Sequence, residues 1–386
     1  MRMERAQLVL TNGQESGLKI AVDRFRNKEP YTVINGPAGS GKSSLVRFII
    51  DALNISEDKV VYIAYTGKAS LVLRNKGCIN AITAHKLLYH AKEKPDGTYE
   101  FTPKKHLDYD YKIIVLDECS MLPDDMWRLL LSHKVHVLAL GDSEQLPPVD
   151  GDSKILENPH VVLDEVVRQA LDSPIIRLSV DIREGKCLEY GGPKECRVMP
   201  SNRVSDKLLI GADQILCGKN ITRHCLNERL RKIKFGEQYV NKPLEGDKII
   251  CLKNDWSTLG SNEEPIVNGM IGIINNIQLS DGYLYKPEMV ADFTSDNDGL
   301  YKDLKMDYKI FTEKETTVNK NNWMMFPKNE RAHEFDYAYA VTVHKYQGSE
   351  AEKIVVYDEW LGDAEFHRKW LYTAVTRASR MLVVIK

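Results

Sequence analysis

Apolar positions along the chain fall into two patterns. Short unbroken runs at Tyr31 to Asn35 (YTVIN), Val60 to Tyr65, Ile113 to Leu116 and Val135 to Leu140 have the length of buried strands. Between them lie stretches with apolar residues at helical spacing, such as Ser43 to Leu53 (SSLVRFIIDAL). This alternation predicts an α/β fold in which a parallel sheet is covered by helices, because parallel neighbours need long crossovers. One segment breaks the pattern. Tyr89 to Lys105 (YHAKEKPDGTYEFTPKK) carries a Pro95-Asp96-Gly97 turn followed by alternating Tyr99 and Phe101, which predicts a hairpin protruding between two core strands.

A second α/β region is expected from about Asp150, with helices at Ser173 to Glu184 and Asn220 to Lys234 and a strand at Gln214 to Cys217. From Pro243 to about Arg331 the pattern turns to short strands and turns: Asp247 to Leu252, Gly269 to Leu279, a Ser280-Asp281-Gly282 turn, Met289 to Phe293 and Met306 to Phe311. That spacing predicts a small β-barrel-like insertion. Buried strands return at Tyr337 to Val341, Ile354 to Tyr357 and Met381 to Ile385. The expected division is therefore residues 1–150, a second domain made of 151–242 and 332–386, and an insertion at 243–331. The basic segment Lys219 to Lys234 reads as a solvated surface helix lying on Ile221, Leu226, Leu230 and Ile233, the alternative being a contact with DNA.

Composition changes this picture little. With 386 residues, 43% of them hydrophobic and 28% charged, the chain has the make-up of a folded multidomain protein. The formal net charge of −2 supplies no global basic field, so any nucleic acid must be held by a local groove. The N-terminus lacks a signal-peptide core and no apolar run reaches membrane-span length, so the expected compartment is the cytosol. Seven cysteines without a C-x-x-C pair read as reduced thiols rather than a zinc or iron–sulfur site.

The chemistry is concentrated where strands end. Gly36 to Ser44 (GPAGSGKSS) fits the template G-x-x-x-x-G-K-[ST] between a strand and a helix. Gly36, Gly39 and Gly41 let backbone N–H groups close on a polyphosphate, and the helix beginning at Lys42, Ser43 and Ser44 turns its positive end toward it. Lys42 can reach the β- and γ-phosphates of ATP, and the Ser43 hydroxyl can ligate Mg²⁺. Strand Ile113 to Leu116 ends in Asp117-Glu118, an arrangement suited to metal coordination by the first carboxylate and activation of water by the second. Strand Val135 to Leu140 runs into GDSEQLPPV, where Gln145 offers a neutral amide to γ-phosphate and attacking water.

LALGDSEQLPPV resembles the third motif of superfamily 1 helicases, in the form typical of the RecD-like and phage Dda-type branch. Other segments come in that family's order: Asn12-Gly13-Gln14, Ala64 to Ala69 (AYTGKA), Thr83 to Leu88 (TAHKLL), Leu163 to Gln169 (LDEVVRQ), Tyr337 to Glu350 (YAYAVTVHKYQGSE) and Tyr372 to Ala378 (YTAVTRA). The resemblance implies two RecA-like domains, a hairpin pin at about 89–107 and an SH3-like insertion. Gln14 would read adenine, Asp117 would position Mg²⁺, and Glu118 would act as base. Gln145 would sense the γ-phosphate, with Lys42 on the phosphates and Gly348 and Glu350 toward the nucleotide, Glu350 meeting the ribose. Arg168 and Arg377 would stabilise the transition state, each worth on the order of 10³ to 10⁵ in rate in other phosphate-loop enzymes.

For nucleic acid, Thr66, His85, Thr342 and His344 match positions that touch the strand, where such donors position without reading sequence. Tyr65 stands where the family has proline; a tyrosine there can stack on a base for about 1–3 kcal/mol. Tyr99 or Phe101 would meet the duplex fork, the alternative being an ordinary hairpin that packs its aromatics inward. The implied protein is a minimal monomeric motor that uses ATP to travel 5′ to 3′ on single-stranded DNA and open duplex, alongside single-strand-binding, recombination or replication proteins and away from membranes. Two rivals use the same phosphate loop. One is a motor subunit of a nuclease complex that does not unwind alone; the other is a phosphate-loop kinase or nucleotide-gated binding module, which has no use for Gln145, Arg168 and Arg377.

Overall fold

Val60–Ala64 and Ile113–Leu116 are buried along their whole length, as strands covered on both faces must be. They belong to a six-stranded parallel sheet ordered Ile82–Thr83, Val60–Ala64, Ile113–Leu116, His136–Gly141, Tyr31–Asn35, Val161–Val162. Alternate residues serve opposite faces. Ile34, Val60, Tyr62, Val115 and Leu138 join one apolar cluster with Leu45, Val46, Ile49 and Ile50 of helix Lys42–Ala52, whereas Val33, Val61, Ile63, Ile114 and Val137 join another under helix Asp124–Ser132. The structure, a computed structural model, describes residues 10–93, 99–147, 154–262, 264–279, 289–296, 298–312 and 332–386. The expected turns Pro95-Asp96-Gly97 and Ser280-Asp281-Gly282 lie outside those residues.

A second parallel sheet is ordered Ala340–Thr342, Gln214–Cys217, Ala351–Tyr357, Ala378–Ile385, Cys196–Met199. Helices Pro174–Arg183 and Ala364–Val375 contribute Ile175, Ile182, Trp370 and Leu371 to the core on one face. The third sheet is antiparallel, in the order Leu300–Met306, Met289–Ser295, Ile271–Leu279, Lys248–Cys251, Phe335–Tyr337. A two-stranded hairpin, Tyr89–Glu93 with Tyr99–Pro103, stands in the chain between strands Ile82–Thr83 and Ile113–Leu116 of the first sheet, as the alternating pattern predicts.

Sheet membership departs from expectation at several places, each with a local cause. Val161–Val162 pairs in parallel with Ile34 and Asn35, so the first sheet takes a strand from beyond Asp150. The expected strand Tyr337 to Val341 is two strands in two sheets: Phe335–Tyr337 pairs with Lys248–Cys251, and Ala340–Thr342 pairs with Gln214–Cys217. The Asn227 side chain holds the crossover, donating to Tyr337 O (3.3 Å) and Ala340 O (3.0 Å) and accepting from Ala340 N (2.9 Å). The expected strand Met306 to Phe311 ends at Met306, because Asp307 Oδ1 accepts from Lys309 N at 3.1 Å and starts the short helix Tyr308–Thr312.

The basic helix, Asn220–Phe235, also differs from a solvated helix on an apolar stripe. Ile221 is 71% exposed, and the inward face carries Arg223, Leu226, Asn227, Leu230 and Arg231. Arg231 Nε donates to Asp247 Oδ1 (2.9 Å), and its Nη2 donates to Asp247 Oδ2 (3.0 Å) and to Lys242 O (2.5 Å), with the guanidinium 4.0 Å from the centre of the Tyr337 ring. Arg223 pairs with Asp336 at 2.5 Å. Asp247 and Asp336 stand where the chain enters and leaves the antiparallel sheet, so two buried ion pairs fasten both crossings to one helix. Breaking a buried pair leaves a charge without its partner, which typically costs about 3–5 kcal/mol. Arg231→Ala is expected to lose that much in urea unfolding, and Lys232→Ala on the exposed side of the same helix is expected to lose nothing measurable.

Candidate nucleotide and nucleic-acid site

Three neighbouring strands of the first sheet, Ile113–Leu116, His136–Gly141 and Tyr31–Asn35, run in parallel, so the loops leaving their carboxyl ends share one edge. Asp117-Glu118, Asp142 to Leu146 and the loop from Gly36 are thereby brought together at the place where open α/β sheets bind ligands. Gly36 N donates to Gly141 O (3.1 Å), and the Asn35 amide exchanges hydrogen bonds with Ser143 on both sides (3.0 Å each). Segments far apart along the chain are here bonded to one another.

Gly41 caps helix Lys42–Ala52 at φ +79°, a conformation that favours glycine. A Cβ there would lie 2.3 Å from Gln14 Nε2. Gln14 is itself pinned: its Oε1 accepts from Thr11 N (3.0 Å) in a capping box on helix Asn12–Arg26, and its Nε2 donates to Ser40 O (3.0 Å). The Lys42 ammonium donates to Gly36 O and Pro37 O, placing it across the mouth of the loop. Ser43 is exposed and Ser44 half-buried in the first helical turn. Gly39 lies against the segment that carries Arg168: Val167 N donates to Gly39 O (3.0 Å) and helix Arg168–Leu171 comes next, although the Arg168 side chain lies outside the described residues.

Burial and the neighbouring Glu118 carboxylate push the Asp117 carboxyl up to about 6, against the pull of the Lys42 ammonium. Glu118 adopts φ +49°, and its N–H donates to Asp117 Oδ1 (3.1 Å). Its carboxylate lies 3.6 Å from Arg377 Nη1, which arrives from the second sheet and is itself buried. The strand-end acid and the arginine of the last motif are thus in contact across the two sheets.

Residues that the motif reading passed over make further crossings. Tyr372 Oη accepts from Ala38 N in the phosphate loop (2.8 Å) and donates to Asp142 Oδ2 (2.7 Å). Thr373 Oγ1 accepts from Leu146 N (2.9 Å), Gln347 Nε2 donates to Leu146 O (3.2 Å), and Arg368 pairs with Glu144. Gln145, half-buried, therefore sits between two residues held by the other sheet. Tyr372 and Thr373 were inside a recognised motif, but only the positions of both sheets show what they touch. Pro148 and Val149 lie outside the described residues.

The residues expected to meet nucleic acid fall in two places. Thr66 caps helix Gly67–Asn75 by accepting from Ala69 N (3.1 Å). Gly348 approaches that turn so closely that a Cβ would lie 2.9 Å from Ala69 Cβ, and Lys68 Nζ sits 4.7 Å from the Tyr346 ring centre. Glu350, exposed, pairs with Lys76 at 2.7 Å, so its carboxylate reaches toward the first sheet. Thr342 ends its strand in a buried position, and His344 stacks on Phe366 at 6.1 Å between ring centres. Burial lowers the pKa of both His344 and His85, which favours neutral imidazoles.

His85 lies in an aromatic row: Tyr65 at 5.7 Å, Tyr89 at 5.9 Å and Phe101 at 6.0 Å between ring centres. Phe101 packs on Tyr89 yet stays 39% exposed; Tyr99 is in the hairpin strand, its side chain outside the described residues. This row borders a cleft of about 550 Å³ closed on the far side by Leu259, Pro265 and Val267 of the insertion, where Arg74 pairs with Glu264 at 2.5 Å. Among the described residues no cluster of three or more His, Cys, Asp or Glu side chains could hold a metal, and no helix is long and apolar enough to cross a membrane.

Gly41→Ala is expected to lower stability in urea unfolding by about 1–3 kcal/mol, since a side chain is strained at that φ and displaces the pinned Gln14 amide. Gly77→Ala, also at positive φ but with nothing within 4 Å of the added Cβ, separates the backbone share of that loss from the steric share.

Residues 10–190 match the AAA domain family, and residues 337–385 match the UvrD-like helicase C-terminal domain family. The chain is 31% identical over 195 residues to the ATP-dependent DNA helicase dda of Enterobacteria phage T4, covering 46% of this chain and 43% of that helicase. It is 26% identical over 382 residues to the ATP-dependent RecD2 DNA helicase of Deinococcus radiodurans, covering 90% of this chain and 45% of that protein. The chain thus spans less than half the length of either relative. Among solved structures, Pif1 helicase from Bacteroides in complex with ADP-AlF3 and ssDNA superposes with a TM-score of 0.53 at 19% identity over 98% of this chain and 92% of that one. The two parallel sheets are accordingly a RecA-like helicase fold, and the two family matches with the relatives in sequence support a place for the chain among the superfamily 1 helicases, in the branch of the RecD, Pif1 and Dda proteins.

Proposed function

We propose that this chain is an ATP-dependent DNA helicase that moves 5′ to 3′ along single-stranded DNA and opens duplex as a monomer. The observation that carries the reading is the contact between Glu118 and Arg377, 3.6 Å apart across the two sheets, on the edge that also bears Lys42 and Asp117. A site divided in this way can hydrolyse ATP only while both sheets face it, which makes hydrolysis and relative movement of the domains one process. A structural neighbour bound to ADP-AlF3 and ssDNA supports the same reading.

In this mechanism the loop N–H groups and Lys42 hold the triphosphate, Gln14 lies beside the base, and Glu350 meets the ribose. Asp117 and the Ser43 hydroxyl are hard oxygen donors on adjoining turns and fit Mg²⁺, which when bound would neutralise phosphate charge. Glu118 accepts a proton from the attacking water, which Gln145 orients. Arg168 and Arg377 stabilise the charge that develops on the γ-phosphate. The strand passes Thr66, His85, Thr342 and His344, whose hydroxyls and neutral imidazoles contact its backbone without reading sequence. The hairpin serves as the pin and the antiparallel sheet as an SH3-like wall, with Phe101 as the exposed end of an aromatic row on which a base can stack. In this reading the working units are the first sheet with the hairpin, extended past residue 150 to Val162, the second sheet with its helices, and the antiparallel insertion extended to Tyr337.

Lys42→Ala and Arg377→Ala are each expected to abolish ATP hydrolysis stimulated by single-stranded DNA, and turnover retained in either variant would refute the divided site. In a strand-displacement assay a 5′-tailed duplex should be opened; opening of the 3′-tailed duplex alone would reverse the polarity. Phe101→Ala should slow unwinding while leaving DNA-stimulated ATP hydrolysis intact, and full unwinding by that variant would remove the wedge role. Since each base-pair step is held by only about 1.4 kcal/mol of stacking, partial rather than complete loss is expected.

A further inference from the structure

Tyr372 is almost fully buried at 1% exposure, yet its hydroxyl is the meeting point of three chain segments. It hangs from helix Ala364–Val375 of the second sheet, and both of its partners belong to the first. A phenol has one proton to give, so accepting from Ala38 N at 2.8 Å and donating to Asp142 at 2.7 Å satisfies it with no choice of arrangement. The other Asp142 oxygen accepts from Glu144 N at 3.0 Å. Asp142 therefore shapes the turn that presents Gln145, and Tyr372 shapes Asp142. One residue further on, Thr373 holds the far end of the same turn through Leu146 N at 2.9 Å. Leu146 and Ala38 also pack against the second sheet's apolar core.

We propose that Tyr372 is a positioning residue for phosphate chemistry, one that ties the phosphate loop and the Gln145 turn to the second sheet through a single hydroxyl. When the sheets are in contact, Ala38 N–H and the Asp142 carboxylate are both satisfied by it, and the turn between Asp142 and Leu146 is gripped at both ends. When they separate, the hydroxyl leaves, and Asp142 Oδ2 and the Ala38 N–H lose that partner together, Asp142 Oδ1 keeping Glu144 N. The phosphate loop and the γ-phosphate turn are thus brought into register by the same movement that delivers Arg377. This inference rests on the proposed ATPase function and adds a residue that touches neither nucleotide nor DNA in it.

Tyr372→Phe removes the hydroxyl and keeps the ring in its packing. In steady-state ATP hydrolysis with single-stranded oligo(dT), Tyr372→Phe is expected to lower kcat by about tenfold to a hundredfold, the equivalent of one lost hydrogen bond to a buried charge. KM for ATP and the affinity for a fluorescent ADP should stay at their wild-type values, because the loop keeps its other contacts. Asp142→Asn retains an acceptor oxygen and should lose less. The double variant should be no slower than Tyr372→Phe alone, the non-additivity expected of one shared contact. Thr373→Val, which frees Leu146 N at the other end of the turn, should lower kcat in the same selective way. A wild-type kcat in Tyr372→Phe, a loss carried by KM instead, or independent additive losses in the double variant would overturn the inference. Wild-type protein that fails to hydrolyse ATP would overturn the ATPase function and this inference with it, whereas active wild type with an equally active Tyr372→Phe would sink this inference alone.

Discussion

The structure depends on loops of one sheet completing the core of another. Leu146, at the end of the first sheet's strand His136–Gly141, is 1% exposed among Ile175, Trp370 and Tyr372 of the second, and Ala38 of the phosphate loop packs beside it. Burying one leucine stabilises by about 1.5–3 kcal/mol, and each accompanying hydrogen bond adds only about 0.5–1.5 kcal/mol. The contact is therefore a sum of modest terms. That magnitude suits the joint of the proposed reading, which would form and part during a reaction cycle, since domain interfaces of this kind are expected to move unless they are large and apolar.

The polar groups at this joint are arranged so that each sheet leaves the other with unfinished bonding. Burial raises the pKa of Asp142, and the Lys42 ammonium, the Tyr372 hydroxyl and the Glu144 N–H act against that rise. Asp117 and Glu118 are two carboxylates on adjacent residues, and the described cations facing them are Arg377, paired with Glu118 at 3.6 Å, Lys42 from the phosphate loop and Lys76. Charges of one sign gathered in a partly dry edge are costly unless they are matched. In the proposed reading, a phosphate-bearing ligand held by Lys42 and Arg377 would bring its cation to match them at the place where the strands end.

The antiparallel insertion is tied by different means. Arg231 and Arg223 fasten its entry and exit to one helix of the second sheet, while its residue Val267 presses on Gly67, where an added Cβ would lie 2.6 Å away, and Glu264 pairs with Arg74. The insertion is thus rooted in the second sheet and rests on the first beside Thr66 and His85. Because the insertion is fastened to the second sheet, a change in the spacing of the two parallel sheets would shift its Leu259, Pro265 and Val267 wall of the cleft against the row at His85.

Much of this was determined by sequence. Unbroken apolar runs of strand length, punctuated by Gly36, Asp117 and Asp142, sufficed to place a phosphate loop and two acids at one sheet edge, because parallel strands align their ends. The hairpin at Tyr89 to Pro103 was equally visible in its alternating aromatics and central turn signal. What sequence missed are features whose causes lie far apart in the chain. The short strands Ile82–Thr83 and Val161–Val162 have no periodicity to detect, and the strand switch after Tyr337 depends on Asn227, which lies more than a hundred residues earlier. Arg223 and Arg231 look like surface charge until Asp336 and Asp247 are brought beneath them. Tyr372 is one tyrosine among 18 in the sequence. Local pattern records how each segment hides its own apolar face, so it decided the elements and the identity of the chemical groups; only the tertiary structure decided which groups of one sheet complete the bonds of the other, because hydrogen bonds and ion pairs depend on distance in space and not on separation along the chain.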